Sequence, residues 1–338
     1  MEISFIVPMY NSYRTIERCI KSILEQLDYD DELIIINDGS IDDSLIKAQS
    51  LASKNPLIKI YSQENIGVGE TRNRGVKYAS KKWITFVDSD DYLDKEFKHI
   101  IKRSLEDGMD VVLYEHIYED AENNYTMNGK EVKFSMSAAR KFAKNCLLNK
   151  APEGQFDLRS IWANVYSREF ILRNQIAFHS DVTIGEDMLF MLEIFKCATN
   201  IKFVNSPVYH YFFCNKNSLT NQYKPQLYDD IKKLDEYIWP LLNKEDEISY
   251  YFYRMNDIIL LMKYTYFNKE NNCKYFHKRK EFVTTIRDGK YKEYYKILCE
   301  NKFQKKYDVF KRITFYIAVH EMIEILYMIF KIRYWRHR

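Results

Sequence analysis

Four short apolar runs, at residues 3–7, 33–36, 57–61 and 83–87, punctuate the first part of this chain, and each gap between them reads as a helix. Residues 12–27 place Ile16, Ile20, Ile23, Leu24 and Leu27 at helical spacing, with Ser12 as an N-cap. Residues 42–53 put Leu45, Ala48, Leu51 and Ala52 on one face, and 68–79 read as a third helix. Runs that are apolar throughout predict strands buried on both faces, hence a parallel sheet. Strand–helix alternation predicts an open α/β layer.

Further along, 94–106 reads as a helix, 111–114 as a strand and the polar stretch 119–130 as a loop or insertion. The pattern is mixed from 135 to 220. Beyond 224 every segment reads as helix: 226–242, 246–268, 274–287 and 308–331. The expected organisation is a mostly parallel α/β domain over 1–222, followed by an all-helical region over 223–338.

The six cysteines are widely spaced with no C-x-x-C pair, which argues against a zinc knuckle or a disulfide framework and fits a reducing cytoplasm. The opening MEISFIVPMYNS has no basic n-region, so no signal peptide is expected. No run of about 18 uncharged apolar residues predicts a membrane span. The net charge of +3 hides an asymmetry: residues 302–338 hold nine Lys/Arg against three acids, so residues 1–301 sum to −3.

Ligands of open α/β sheets bind at the carboxyl ends of the strands, so the residues after each run matter most. They are P-M-Y-N, N-D-G-S, Q-E-N-I-G and D-S-D-D. The last, Asp88-Ser89-Asp90-Asp91, packs three carboxylates into four residues, costly unless a cation neutralises them. Asp88 and Asp90 point the same way on an extended chain, and carboxylate oxygens suit Mn²⁺ or Mg²⁺. The plainer reading is a turn with a helix cap before Tyr92. Asp38 in N-D-G-S could accept hydrogen bonds from a ribose or base, or could only close a turn. The stretch 65–75 holds a G-x-G but no third glycine and does not follow the first strand, so a dinucleotide fingerprint is rejected. Its Arg72 and Arg74 suit phosphate. Glu186 and Asp187 stand before an apolar periodic stretch, where acids also simply offset a helix dipole. His116, His179 and His210 show no metal spacing and are expected to be structural.

In order, the segments FIVPMYNS, C-I-K-S-I-L-E-Q (19–26), I-I-I-N-D-G-S (34–40), N-I-G-V-G-E-T-R-N-R-G (65–75), W-I-T-F-V-D-S-D-D-Y (83–92), W-A-N-V-Y-S-R-E-F (162–170), G-E-D-M-L-F (185–190) and Y-H-Y…S-L-T (209–220) resemble glycosyltransferase family 2. That family comprises inverting nucleotide-sugar enzymes of GT-A fold, here most similar to the bacterial branch that builds capsule, lipopolysaccharide or wall polymers. The resemblance covers about 1–220. It implies a UDP-sugar donor and a hydroxyl acceptor on a glycan or lipid-linked glycan. Pro8 and Tyr10 would line the nucleotide pocket, Asp38 would bind uracil or ribose, and Asn65 and Arg72 would lie near base and diphosphate. Asp88 and Ser89 would face the ribose, and Asp90, Asp88 and Asp91 the metal. Asp187 would be the general base with Glu186 beside it, and Ser218 and Thr220 would close over the diphosphate. The chain departs from the family pattern at Asn37, Asn164 and Phe212-Phe213-Cys214, where an acid, a base and an arginine are usual.

Residues 309–330, followed by the basic aromatic KIRYWRHR, read either as an in-plane helix on an anionic membrane surface or as a helix packed on the protein. Oligomerisation through the helical part is the other use. Nucleic acid is not an expected partner. The expected location is the cytoplasm, with the inner membrane face if the tail binds lipid. Two other readings remain. A nucleotide-sugar pyrophosphorylase would need a glycine-rich loop after the first strand, where Pro8-Met9-Tyr10-Asn11 stands. A non-catalytic sugar-nucleotide binder would have no use for Asp187 as a base.

Overall fold

The computed structural model describes residues 2–119, 124–126, 132–134, 158–212 and 223–332. The chain divides into two compact units, Met1–Asn215 and Lys216–Arg338. The boundary expected at 222 falls in a stretch outside the described residues.

The first unit is built on one mixed sheet. Its strands are β1 (Ile3–Met9), β2 (Glu32–Asp38), β3 (Ile58–Gln63), β4 (Trp83–Phe86), β5 (Tyr92–Leu93), β6 (Val111–Glu119), β7 (Asn124–Thr126), β8 (Val132–Phe134), β9 (Asn164–Ser167) and β10 (Ile201–Phe212). The order is β3-β2-β1-β4-β9-β6-β10-β5, with β7 beside β6 and β8 beside β10. The β3–β2–β1–β4 half is parallel, as the apolar runs predict. β9 then enters antiparallel between β4 and β6, so the sheet is mixed. Every residue of β1 and β2 is buried; each Ile, Val or Phe so placed contributes roughly 1.5–3 kcal/mol. β3 departs from the expectation of two buried faces. Among the described residues it has a single strand neighbour, and only Ile58 in it is buried. Asn124–Thr126 pairs with β6, so part of the expected 119–130 loop is strand.

Helices α1 (Ile16–Leu24), α2 (Ser44–Ala52), α3 (Val68–Tyr78), α4 (Phe97–Ser104), α5 (Arg168–Arg173) and α6 (Glu186–Cys197) complete the described part of this unit. Ser12 is not the cap of α1. Thr15 holds that place, and the Ser12 hydroxyl meets the Tyr10 carbonyl (3.1 Å) and the Ser89 hydroxyl (2.6 Å) instead. Helix α3 lies hard against β1: a Cβ on Gly75 would stand 2.2 Å from Cγ2 of Ile6. From β1 the chain runs to β2 and β3 on one side and returns to β4 on the other. That reversal opens a crevice at the carboxyl ends of β1 and β4, where an open α/β sheet receives its ligand.

The second unit is helical among its described residues: α7 (Leu227–Ile238), α8 (Glu247–Arg254), α9 (Asp257–Leu261), α10 (Tyr275–Asp288), α11 (Tyr291–Glu300), α12 (Val309–Val319) and α13 (Ile323–Phe330). The single helix expected over 246–268 is broken at Met255–Asn256 and ends in a π turn, Met262–Tyr266. The helix expected over 308–331 is broken too, because Glu321 takes a left-handed φ of 58°. Apolar periodicity runs through both breaks, which is why the sequence hides them.

Candidate active site

The 88–91 segment leaves β4 into the crevice and is held from behind. Arg18 on α1 donates to the Asp90 carbonyl (2.8 Å), its guanidinium lying between the rings of Tyr92 (4.4 Å) and Phe212 (4.5 Å). The Asp88 N–H donates to the Tyr209 hydroxyl (3.1 Å), and that hydroxyl donates to Oδ2 of Asp91 (2.7 Å). Oδ1 of Asp91 accepts the Phe212 N–H (2.8 Å). Asp91 is thus turned into β10 and buried, with both carboxylate oxygens engaged. Burial, then the neighbouring charges of Asp88 and Asp90, push its carboxyl well above the usual range.

Asp88 and Asp187, far apart in sequence, meet at one guanidinium. Arg72 on α3 is 4% exposed. Its NH2 donates to Oδ1 of Asp88 (2.9 Å) and its NH1 to Oδ1 of Asp187 (2.8 Å). Burial alone would depress the guanidinium's pKa. The carboxylates of Asp187 and Asp88, with Glu186 near, outweigh it and raise the pKa further. Glu186 and Asp187 occupy the first turn of α6, behind Gly185 in a left-handed conformation. Phe178 lies 5.4 Å below the Arg72 guanidinium and stacks on Phe190 (4.3 Å) of α6, which backs the contact with apolar rings.

Asp38, at the end of β2, accepts from Gln63 Nε2 (2.7 Å) and from the N–H groups of Ile66 (3.0 Å) and Gly67 (3.1 Å). Its carboxylate therefore shapes the 65–67 loop. Gly39 (φ 71°) lets that loop close, since a Cβ there would sit 2.8 Å from the Asn65 nitrogen. Asn65 and Tyr10 are exposed, Pro8 is buried within β1, and Ser89 is buried against Ser12. Ser218 and Thr220 lie outside the described residues. Of the departures from the family pattern, Asn164 is buried and donates to Ser160 (2.9 Å), and Phe212 carries the Arg18 cation on its ring.

Asp90 and Asp88 are hard oxygen donors, half-buried at the crevice, and they fit a divalent ion that takes one or two carboxylates and completes its shell with diphosphate oxygens and water. Among the described residues no group of three or more acidic, histidine or cysteine side chains is arranged around a metal position. Of the three histidines expected to be structural, His116 packs edge-on to Trp162 (4.6 Å), and His210 stacks on Tyr92 (4.3 Å) between Asp94 (3.0 Å) and Glu119 (2.9 Å). His179 pairs with Glu193 (2.7 Å). Sequence reasoning missed Tyr209 and Arg18 as the supports of the 88–91 segment. The aromatic-rich run 209–213 was the available signal for the first, and nothing local marks the second.

The model of the family described as Glycosyl transferase family 2 matches residues 4–170. The uncharacterised glycosyltransferase EpsJ of Bacillus subtilis is 33% identical over 236 residues, covering 68% of this chain and 67% of that protein. The cholesterol galactosyltransferase of Borreliella burgdorferi is 31% identical over 229 residues, covering 63% and 60%. Among solved structures, S. aureus TarS 1–349 in complex with UDP-GlcNAc aligns with a TM-score of 0.65 over 97% of this chain and 90% of that one, at 18% identity. At that identity the likeness is one of fold.

Proposed function

The chain belongs to glycosyltransferase family 2 and carries its GT-A fold, and from that premise we propose that it moves a hexosyl or N-acetylhexosaminyl group from a UDP-sugar to a hydroxyl of a glycan or lipid-linked glycan, with inversion. The assembly of a bacterial surface polysaccharide, run in the cytoplasm, is the setting we assign to it. One observation carries the reading: the Arg72 fork that draws Asp88, on the donor side, and Asp187, at the start of α6, to a single cation.

Asp187 takes the proton of the acceptor hydroxyl as its oxygen bonds to the anomeric carbon. The bond from that carbon to the diphosphate oxygen breaks with both electrons, and UDP leaves from the opposite face. Arg72 fixes the direction of the Asp187 carboxylate, so the base is pre-positioned. Asp38 and Gly39 hold the 65–67 loop beside the nucleotide. Asp90 and Asp88 would hold Mn²⁺ or Mg²⁺, which when bound supplies charge neutralisation for the departing diphosphate.

A thermal-shift screen of UDP-sugars with and without Mn²⁺, joined to a UDP-release assay, tests the proposal. The expected result is stabilisation by at least one UDP-sugar and metal-dependent UDP release. Asp187→Asn should lower release by about 10²–10⁴-fold with donor binding retained. Donor binding without release by the unaltered chain across a panel of acceptors would favour the non-catalytic binder. Loss of donor binding in Asp187→Asn would make Asp187 structural.

A further inference from the structure

Helices α12 and α13 satisfy only one side. Phe315, Ala318, Ile323, Leu326 and Phe330 are buried within the helical unit. On α12, Val309 (59% exposed), Ile313 and Tyr316 recur at i, i+4 and i+7 and so share a solvent-facing stripe. On α13, Ile325 and Met328 (62%), with Ile332 (54%) just past its end, recur at i, i+3 and i+7, and Met322 is exposed in the link. The two readings of this tail, packed helix and surface helix, are therefore not exclusive: one face does each.

Cations outnumber acids among the exposed charges of residues 302–332. Lys302, Lys305, Arg312 and Lys331 are exposed. All three acids of this region are engaged within the unit. Asp308 caps α12 by accepting the Lys311 N–H (2.8 Å). Glu321 accepts from both Nε (2.8 Å) and NH2 (2.6 Å) of Arg287 on α10. Glu324 accepts from Nε of Arg279 on the same helix (2.8 Å). Beyond Ile332 the sequence continues RYWRHR, adding three arginines and two aromatic residues. Tyr and Trp favour the membrane–water boundary, and cations beside an apolar stripe meet lipid phosphates while the stripe enters the acyl edge. An anionic bilayer matches the stripes and the charge together.

We propose that the outer face of α12 and α13 is a docking surface for an anionic lipid bilayer, on which the protein lies without crossing. Among the described residues no helix is long and apolar enough to cross a membrane. Docking rests on the surface of the helical unit alone and not on the transferase reading, though it would raise the local concentration of a lipid-linked acceptor.

The test uses the full chain with vesicles of phosphatidylcholine, alone or mixed with phosphatidylglycerol, in a sedimentation assay. Binding to the mixed vesicles and little to pure phosphatidylcholine is expected. The double variant Ile313→Asp, Met328→Asp should weaken it by about tenfold or more, and Lys305→Glu with Arg312→Glu by a similar factor. Neither pair should alter the thermal shift with UDP-sugar, which separates this proposal from the transferase reading. Equal pelleting of the aspartate variant overturns the proposal, as does a full chain that ignores anionic vesicles. A dimer in solution that Ile313→Asp dissociates, with no vesicle binding, would assign the face to a second copy and overturn it too.

Discussion

Each unit of the molecule buries an arginine between two aspartates, and the two arrangements serve different ends. Arg72 spans Asp88 and Asp187 at 2.9 and 2.8 Å. Arg254 of the helical unit spans Asp257 at 2.7 Å and Asp235 at 3.3 Å. Each guanidinium leaves one nitrogen without a hydrogen-bond partner, Nε of Arg72 and NH1 of Arg254. The difference lies in the surroundings. Asp257 is buried, stands one helical turn from Arg254 and also accepts the Tyr291 hydroxyl (3.3 Å). Burial outweighs the attraction of Arg254 and pushes the Asp257 carboxyl up to about 7. Asp88 and Asp187 are 23% and 29% exposed, and come from segments well separated from α3 in sequence. Asp235 is 29% exposed, so the helical triad seals one of its two carboxylates and ties helices together. A triad with both carboxylates open to a crevice can also meet a ligand.

The strongest challenge to that contrast is removal of each arginine. Arg72→Met should cut UDP release by about 10²–10³-fold, because it removes the cation that aims Asp187 and balances the 88–91 charges. Arg254→Met should cost about 3–5 kcal/mol of stability in chemical denaturation, because Asp257 is left buried without its counter-charge. The folded fraction should still bind UDP-sugar; failure to do so would erase the distinction between site and keystone. Tyr209→Phe comes next. Losing the hydroxyl that links Asp88 and Asp91 should cost about 1–3 kcal/mol and weaken UDP binding in Mn²⁺ several-fold, read by calorimetry. Unchanged UDP affinity would mean that the 88–91 segment needs no buckle from β10.

A pH effect is confined to the helical triad. The folded carboxyl of Asp257 lies above its unfolded value, so the folded state binds the extra proton. Its contribution is therefore most favourable below the unfolded pKa and is lost as pH rises toward 7, with no further change above. Melting curves across pH 5–8 should show this downward slope, and Asp257→Asn should flatten it. An unchanged slope in that variant would assign the dependence to other groups.

What was legible in the sequence were features whose cause is local. The buried strands announce themselves because both faces must be apolar, and 88–91 because carboxylates cluster only where something offsets them. Glu186 and Asp187 were visible as acids opening a helix. The Arg72 fork was not: the residue reads as a phosphate ligand until α3 is seen resting on β1. Arg18 and Tyr209 act on a segment about 70 and 120 residues away, and no periodicity reports such a distance. The break at Glu321 was hidden because apolar periodicity runs through it.

Gly75 lets α3 sit as deep on β1 as a helix without a side chain allows. Arg72 rides on that helix one turn earlier, so the depth of the groove gauges its reach toward both aspartates at once. A single added methyl at 75 would have to displace either Ile6 or the turn that carries Arg72. The tuning of a charge contact in the crevice is thus lodged at a position that never touches it.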